Sequence, residues 1–159
     1  MQSSDFVQAV REHLHPTLYP GLLQTRGSPF ELMLVRNRGR MAHDIFGVLP
    51  LAPGQDPRVL VEAARADVAA RFGRLCYRRA IVLHLLVHGP IETWHDAVGA
   101  LCADRTGFRG VMVQSIHTAD PTNGASHTSV SSWGLLRYSR DCAAAAEQVE
   151  GTVAALFPV

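Results

Sequence analysis

Lysine is absent from this chain of 159 residues, and all fifteen basic positions are arginine. That absence removes several mechanisms. No side chain can form a Schiff base, hold pyridoxal phosphate, act as a P-loop lysine or serve as a lysine general base. A nuclease core built on a strand-borne Glu-x-Lys is disfavoured for the same reason. Cysteine is scarce: Cys76, Cys102 and Cys142 are odd in number, widely spaced and form no CxxC. Neither a disulfide framework nor a zinc ribbon follows, and small buried thiols are expected. Surplus charge is missing too. A formal net charge of +1 creates no global field toward nucleic acid or an anionic membrane. No apolar run approaches the ~20 residues that span a bilayer. The start, Met1 to Asp5, lacks the basic-then-apolar build of a secretory signal. A cytoplasmic location is the expectation.

Apolar side chains, by contrast, are plentiful. At 47% apolar and 18% charged the chain can bury a core, and its length fits one domain. That domain is expected to span 1–159, with an N-terminal helix and connection over 1–28 and a sheet with covering helices over 29–159.

The strongest local signal is the run from Ala80 to Val87, aliphatic except for His84 and closed by His88, Gly89 and Pro90. Its shortness, its β-branched Ile81, Val82 and Val87 and its Gly-Pro end predict a strand. A strand apolar on both faces belongs in the middle of a covered sheet. Ile81, Leu83, Leu85 and Val87 then face one way, and His84, Leu86 and His88 the other. On a helix, His84 and His88 would form an i, i+4 metal pair. On a strand they lie ~13 Å apart, too far for one ion. His84 is therefore expected as a core histidine hydrogen-bonded to a neighbour.

Ser3 and Ser4 are expected to cap a helix over Asp5 to Leu14, and Pro16 to Ser28 reads as a connection. Phe30 to Val35 and Met41 to Leu51 predict two strands joined by a hairpin at Arg36 to Arg40. Asp56-Pro57 predicts a capped helix with Val59, Leu60, Ala63, Ala64, Val68 and Phe72 inward. Ile91 to Cys102 reads as a crossover helix. Arg109 to His117 reads as a strand parallel to the central one, and Thr118 to Ser129 as a polar loop. Val130 to Tyr138 reads as a last strand, and Ser139 to Leu156 as an alanine-faced helix. The order α-β-β-α-β-α-β-β-α predicts an α/β domain: a mixed sheet of four to five strands flanked by helices.

Sites in open α/β sheets lie beyond the carboxyl ends of parallel strands. His88 and His117 end the two proposed parallel strands, and Asp120 follows. At matched depth they would form a two-His-one-carboxylate set for a divalent metal, able to activate water for hydrolysis. Read blandly, the histidines are polar residues at a wet rim and Asp120 is a turn former before Pro121. Arg36, Arg38 and Arg40 offer forks for phosphate, and Asn123 and Ser126 sit in a donor-rich loop suited to cradling an anion. Solvated turn charges are the commoner explanation, and nucleic acid is not the expected partner. No nucleophile elbow of the form Gly-x-Ser-x-Gly occurs. Trp94 and Trp133 are candidate interface anchors. The favoured function is a non-catalytic interaction domain that pairs with itself or another protein. No cofactor is favoured, and a divalent metal enters only with the hydrolase alternative.

Overall fold

A computed structural model describes residues 2–73, 80–90, 97, 100–101, 110–130 and 137–156. The expected central strand is present as β4 (Ala80–His88). It lies within one six-stranded sheet whose spatial order follows the chain: β1 (Gly21–Leu22), β2 (Leu32–Asn37), β3 (Ala42–Pro50), β4, β5 (Val111–Ala119) and β6 (Ser126–Val130). The β1–β2, β2–β3 and β5–β6 pairs are antiparallel. β4 is parallel to both neighbours, β3 and β5. Three helices accompany the sheet among the described residues: α1 (Ser3–Leu14), α2 (Pro57–Phe72) and α3 (Arg137–Leu156). The architecture is the expected α/β mixed sheet, with six strands rather than four or five. None of the described helices is long and apolar enough to cross a membrane.

β4 is covered on both faces, which is why its sequence does not alternate apolar with polar. Ile81, Leu83, Leu85 and Val87 join Ile45, Leu49, Val111 and Val113 beneath Leu60, Val61, Ala64 and Val68 of α2. Leu86 joins Leu34, Phe46 and Val48 beneath Phe6, Val10 and Leu14 of α1 and Val149 and Val153 of α3. Burying each such side chain contributes ~1.5–3 kcal/mol. Of the small residues of α3, Ala145 and Ala146 are buried inside the molecule, while Ala144, Ala154 and Ala155 are exposed.

The differences from expectation have local causes. β1 lies inside the segment read as a connection, because two residues carry no periodic signature. Gly21 permits the pairing: a Cβ there would sit 2.6 Å from Val35 Cγ1. β6 occupies the segment read as a polar loop; of the strand expected at Val130–Tyr138, Val130 closes β6, Arg137 and Tyr138 are helical, and 131–136 lie outside the described residues. An edge strand need not be apolar, so Ser-His-Thr-Ser reads as loop. α1 starts at Ser3, with Gln2 at its N-cap and no side-chain cap bond. In α2, Asp56 accepts from Arg58 N at 2.9 Å as its pattern implies. Its buried stripe is Leu60, Val61, Ala64, Arg65 and Val68, while Val59 is 62% exposed. Three consecutive aliphatics at Val59 to Val61 and several alanines left two helical phases open. Tertiary packing chose the one that seats Val61. The predicted crossover helix over 91–102 falls mostly outside the described residues, although 97, 100 and 101 are helical.

Close packing of Phe30 on β3 yields a test. A Cβ at Gly47 would lie 2.2 Å from Phe30 Cε1, on a ring that is 3% exposed. Gly47→Ala is expected to destabilise the fold by about 1–3 kcal/mol through overpacking. Equilibrium urea unfolding measures this, and an unchanged midpoint would contradict the packing.

Candidate functional site at the carboxyl ends of the parallel strands

The register brings Pro50, His88 and Ala119 side by side at the carboxyl ends of β3, β4 and β5. A cleft of about 590 Å³ opens there, with Ser3, Leu51, His88, Asp120 and Asn123 in its lining. Three residues singled out in the sequence therefore share one cleft, at the place where an open α/β sheet offers a binding site.

His88 is held from two sides. Its Nε2 donates to Glu31 Oε2 at 2.5 Å, and its ring lies 5.5 Å from the Phe6 ring. Only 5% of the residue is exposed. Glu31 was missed by sequence reasoning. Its backbone N–H bonds Val48 O at 2.9 Å, which brings it beside the carboxyl end of β3. A lone carboxylate in Phe30-Glu31-Leu32-Met33 was the available signal. Asp120 forms a tight turn: Oδ1 accepts from Thr122 N at 2.8 Å, and its carbonyl accepts from Gly124 N at 2.9 Å. The turn-former reading of Asp120 describes that oxygen, while the residue as a whole still faces the cleft.

His117 is placed apart from this pair. Gln114 is the extra residue of a bulge in β5, since Leu83 pairs with Val113 but His84 pairs with Ser115. Beyond the bulge, His117 lies opposite Leu86, two pairs inward, and Ala119 takes the place beside His88. Both ring nitrogens of His117 are occupied. Nε2 bonds Ser115 Oγ at 2.9 Å, and Nδ1 bonds Thr128 Oγ1 at 3.0 Å. Ser115 Oγ also bonds His84 Nδ1 at 2.7 Å. The result is a buried chain, His84–Ser115–His117–Thr128, crossing from β4 to β6. His84 thus has the core role expected of it. The expected ligand set is divided: His88 and Asp120 line one cleft, and His117 is linked to His84 through Ser115. Among the described residues no three His, Cys, Asp or Glu side chains gather as a metal set.

Burial governs the electrostatics of this chain. The His84 pKa is lowered from 6.5 to about 3, first by desolvation and then by the charges of Arg36 and Arg38. His117 is lowered to about 3 by desolvation and then by His84. Both imidazoles are neutral in the fold. Ser115 has one proton, so at least one of the two imidazoles must donate to its oxygen.

The arginines of the hairpin also turn inward. Arg36 Nη2 and Arg38 Nη2 reach Asp44 Oδ2 at 2.8 and 2.6 Å, and Asp44 is fully buried. Arg36 also lies 5.6 Å from the Tyr19 ring centre. Of the three arginines read as a phosphate cluster, Arg40 alone is exposed, because a buried carboxylate needs cationic partners. Asn123 and Ser126 are exposed, the first in the Asp120 turn and the second starting β6. Trp94 and Trp133 lie outside the described residues.

Comparison with protein-family models, with curated proteins and with solved structures returns no match for this chain.

The buried histidines set a pH dependence with a definite sign. Between pH 6.5 and about 3 the unfolded chain binds protons at these positions and the folded chain does not. Their stabilising contribution is complete above pH 6.5 and is lost as pH falls toward 3. Each histidine contributes a slope of at most about 1.4 kcal/mol per pH unit. Urea unfolding from pH 7 to pH 4 should show falling stability, and His117→Gln should remove about half of the histidine slope. A slope unchanged in that variant would contradict the neutral, buried pair.

Proposed function

We propose that the chain is a single, non-catalytic interaction domain that associates with a second copy of itself through β6. The supporting observation is the character of the two sheet edges. An outer strand presents unpaired backbone donors and acceptors, which proteins guard with charge, proline, bulges or brevity. β1, at one edge, is two residues long. β6, at the other, is five residues long and reads Ser-His-Thr-Ser-Val, with no proline and no Asp, Glu, Lys or Arg. Among the described residues no strand pairs with its outer side, although His127 and Ser129 have partners of their own. Two copies meeting about a twofold axis would join their sheets through this strand. Singly exposed apolar residues such as Leu22, Met41 and Val59 lie elsewhere and form no comparable surface.

Sedimentation velocity should show a dimer whose population grows with concentration. Ser126→Lys with His127→Lys should shift it to monomer by placing charge on the edge. A strict monomer at high concentration overturns the reading, and pairing only in the presence of a different protein would replace self-association with a foreign partner.

A second reading has one observation in its favour. His88 and Asp120 share the carboxyl-end cleft, as a metal-assisted hydrolase there would require. These two residues would hold the divalent ion, which would supply an activated water. Metal analysis of chelator-free protein should then find bound zinc, manganese or iron that His88→Ala loses. Metal-free protein with no thermal shift on adding divalent ions ends that reading. A nucleic-acid reading draws less support, since Arg36 and Arg38 are engaged with Asp44.

A further inference from the structure

We propose that the cavity beside β1 binds a small molecule that carries one oxyanion, a carboxylate or a phosphate, on a short apolar group. The site lies at the sheet edge opposite β6, so it goes beyond the self-association reading and does not depend on it. The cavity holds about 520 Å³, and its lining includes Arg11 of α1, Leu22 of β1, the segment Gln24 to Arg26, and Glu31. Its two arginines are unpaired. Arg36, Arg38, Arg65 and Arg71 all meet carboxylates. Arg11, half-buried, and Arg26, exposed, make no hydrogen bond or ion pair among the described residues. A guanidinium stays charged across the working pH range, so two fixed positive charges border the space.

The described lining holds one carboxylate, Glu31, whose Oε2 is bonded by His88 Nε2. The sign of the site does not depend on the state of that imidazole. A neutral ring leaves one arginine in excess of Glu31, and a charged ring offsets Glu31 and leaves two. A concave wall with one sign of charge in excess concentrates ions of the other sign. Guanidinium groups then meet carboxylate or phosphate oxygens as charge-assisted forks. Gln24 and Thr25 add an amide and a hydroxyl whose side chains have no partner among the described residues. Leu22 is 49% exposed and lines the cavity with Leu23, so an apolar group on the ligand gains burial there. An anion with such a group therefore fits better than an alcohol or a cation.

Four probes with one ring test this: benzoate, phenyl phosphate, benzyl alcohol and benzylamine. Each is titrated into the full chain with a chelator present, so that no metal ion recruits the anion. The readouts are the backbone amides of Leu22, Leu23 and Thr25 in NMR spectra. Benzoate, phenyl phosphate or both should shift these signals saturably, the tighter of the two naming the head group, and the alcohol and the amine should not. Arg11→Gln and Arg26→Gln should each weaken the anion about tenfold, the loss of one charged contact. Neither should move the urea midpoint, since neither side chain has a partner to lose. Arg40→Gln removes the same charge from the exposed hairpin and should leave binding unchanged. Absence of shifts with both anions overturns the proposal, as does equal binding of the alcohol or the amine. An Arg40→Gln variant that weakens the anion as much as the cavity variants also overturns it, because the attraction is then unspecific. Self-association through β6 is read by sedimentation, so failure here leaves that reading standing.

Discussion

A strand buried on both faces leaves its polar side chains no water to turn to. β4 carries two histidines in such a strand, and much of the surrounding structure answers that constraint. His84, at the strand's middle, can remain only as a neutral ring with a hydrogen-bond partner. Ser115 supplies the partner, and satisfying Ser115 engages His117 and then Thr128. One buried imidazole thus ties the three last strands of the sheet together. His88, at the strand's end, finds a partner in Glu31 and sits at a cleft. The two histidines differ in chemical opportunity because they differ in depth.

The bulge at Gln114 makes this arrangement possible. Before it, Val111 and Val113 point to the face covered by α2, together with Leu83. An unbroken alternation would have sent Ser115 and His117 to that same face, among aliphatic side chains with no acceptor for them. The extra residue reverses the phase, so Ile116 enters the α2 face and Ser115 and His117 reach the face of His84. A single inserted residue decides whether two polar groups are satisfied. At the opposite end of that face, Asp44 imposes a related demand, met by Arg36 and Arg38. Buried polarity, rather than surface charge, explains where these histidines and hairpin arginines go.

Legibility followed the range of the interactions. Ala80 to His88 was readable as a central strand because its burial is written in its own composition. Asp56-Pro57 was readable as a helix start because a cap is made within three residues. The pairing of Phe30–Val35 with Met41–Leu51 was readable from its hairpin spacing. β1 and β6 were not, since neither repays apolar patterning at a sheet edge. His88 and Asp120 were placed near one another by the rule that parallel strands end together. Glu31, 57 residues from its partner, was invisible to that rule. His117 misled, because the strand was expected to end there, whereas β5 continues to Ala119.

The amino-acid sequence alone determined the class of fold, the central position of β4, the inward turn of His84 and the chemistries that a lysine-free chain cannot perform. These depend on composition and on contacts close in sequence. Tertiary structure alone decided which atoms the polar side chains meet. It set the face on which β5 presents Ser115 and His117, the phase of α2, the conversion of Arg36 and Arg38 into partners of Asp44, and the Glu31 carboxylate behind His88. The physical reason is that a buried polar group is satisfied by whatever donor or acceptor the register delivers. Register across a sheet depends on bulges and pairings between residues far apart in the chain, which no local pattern encodes.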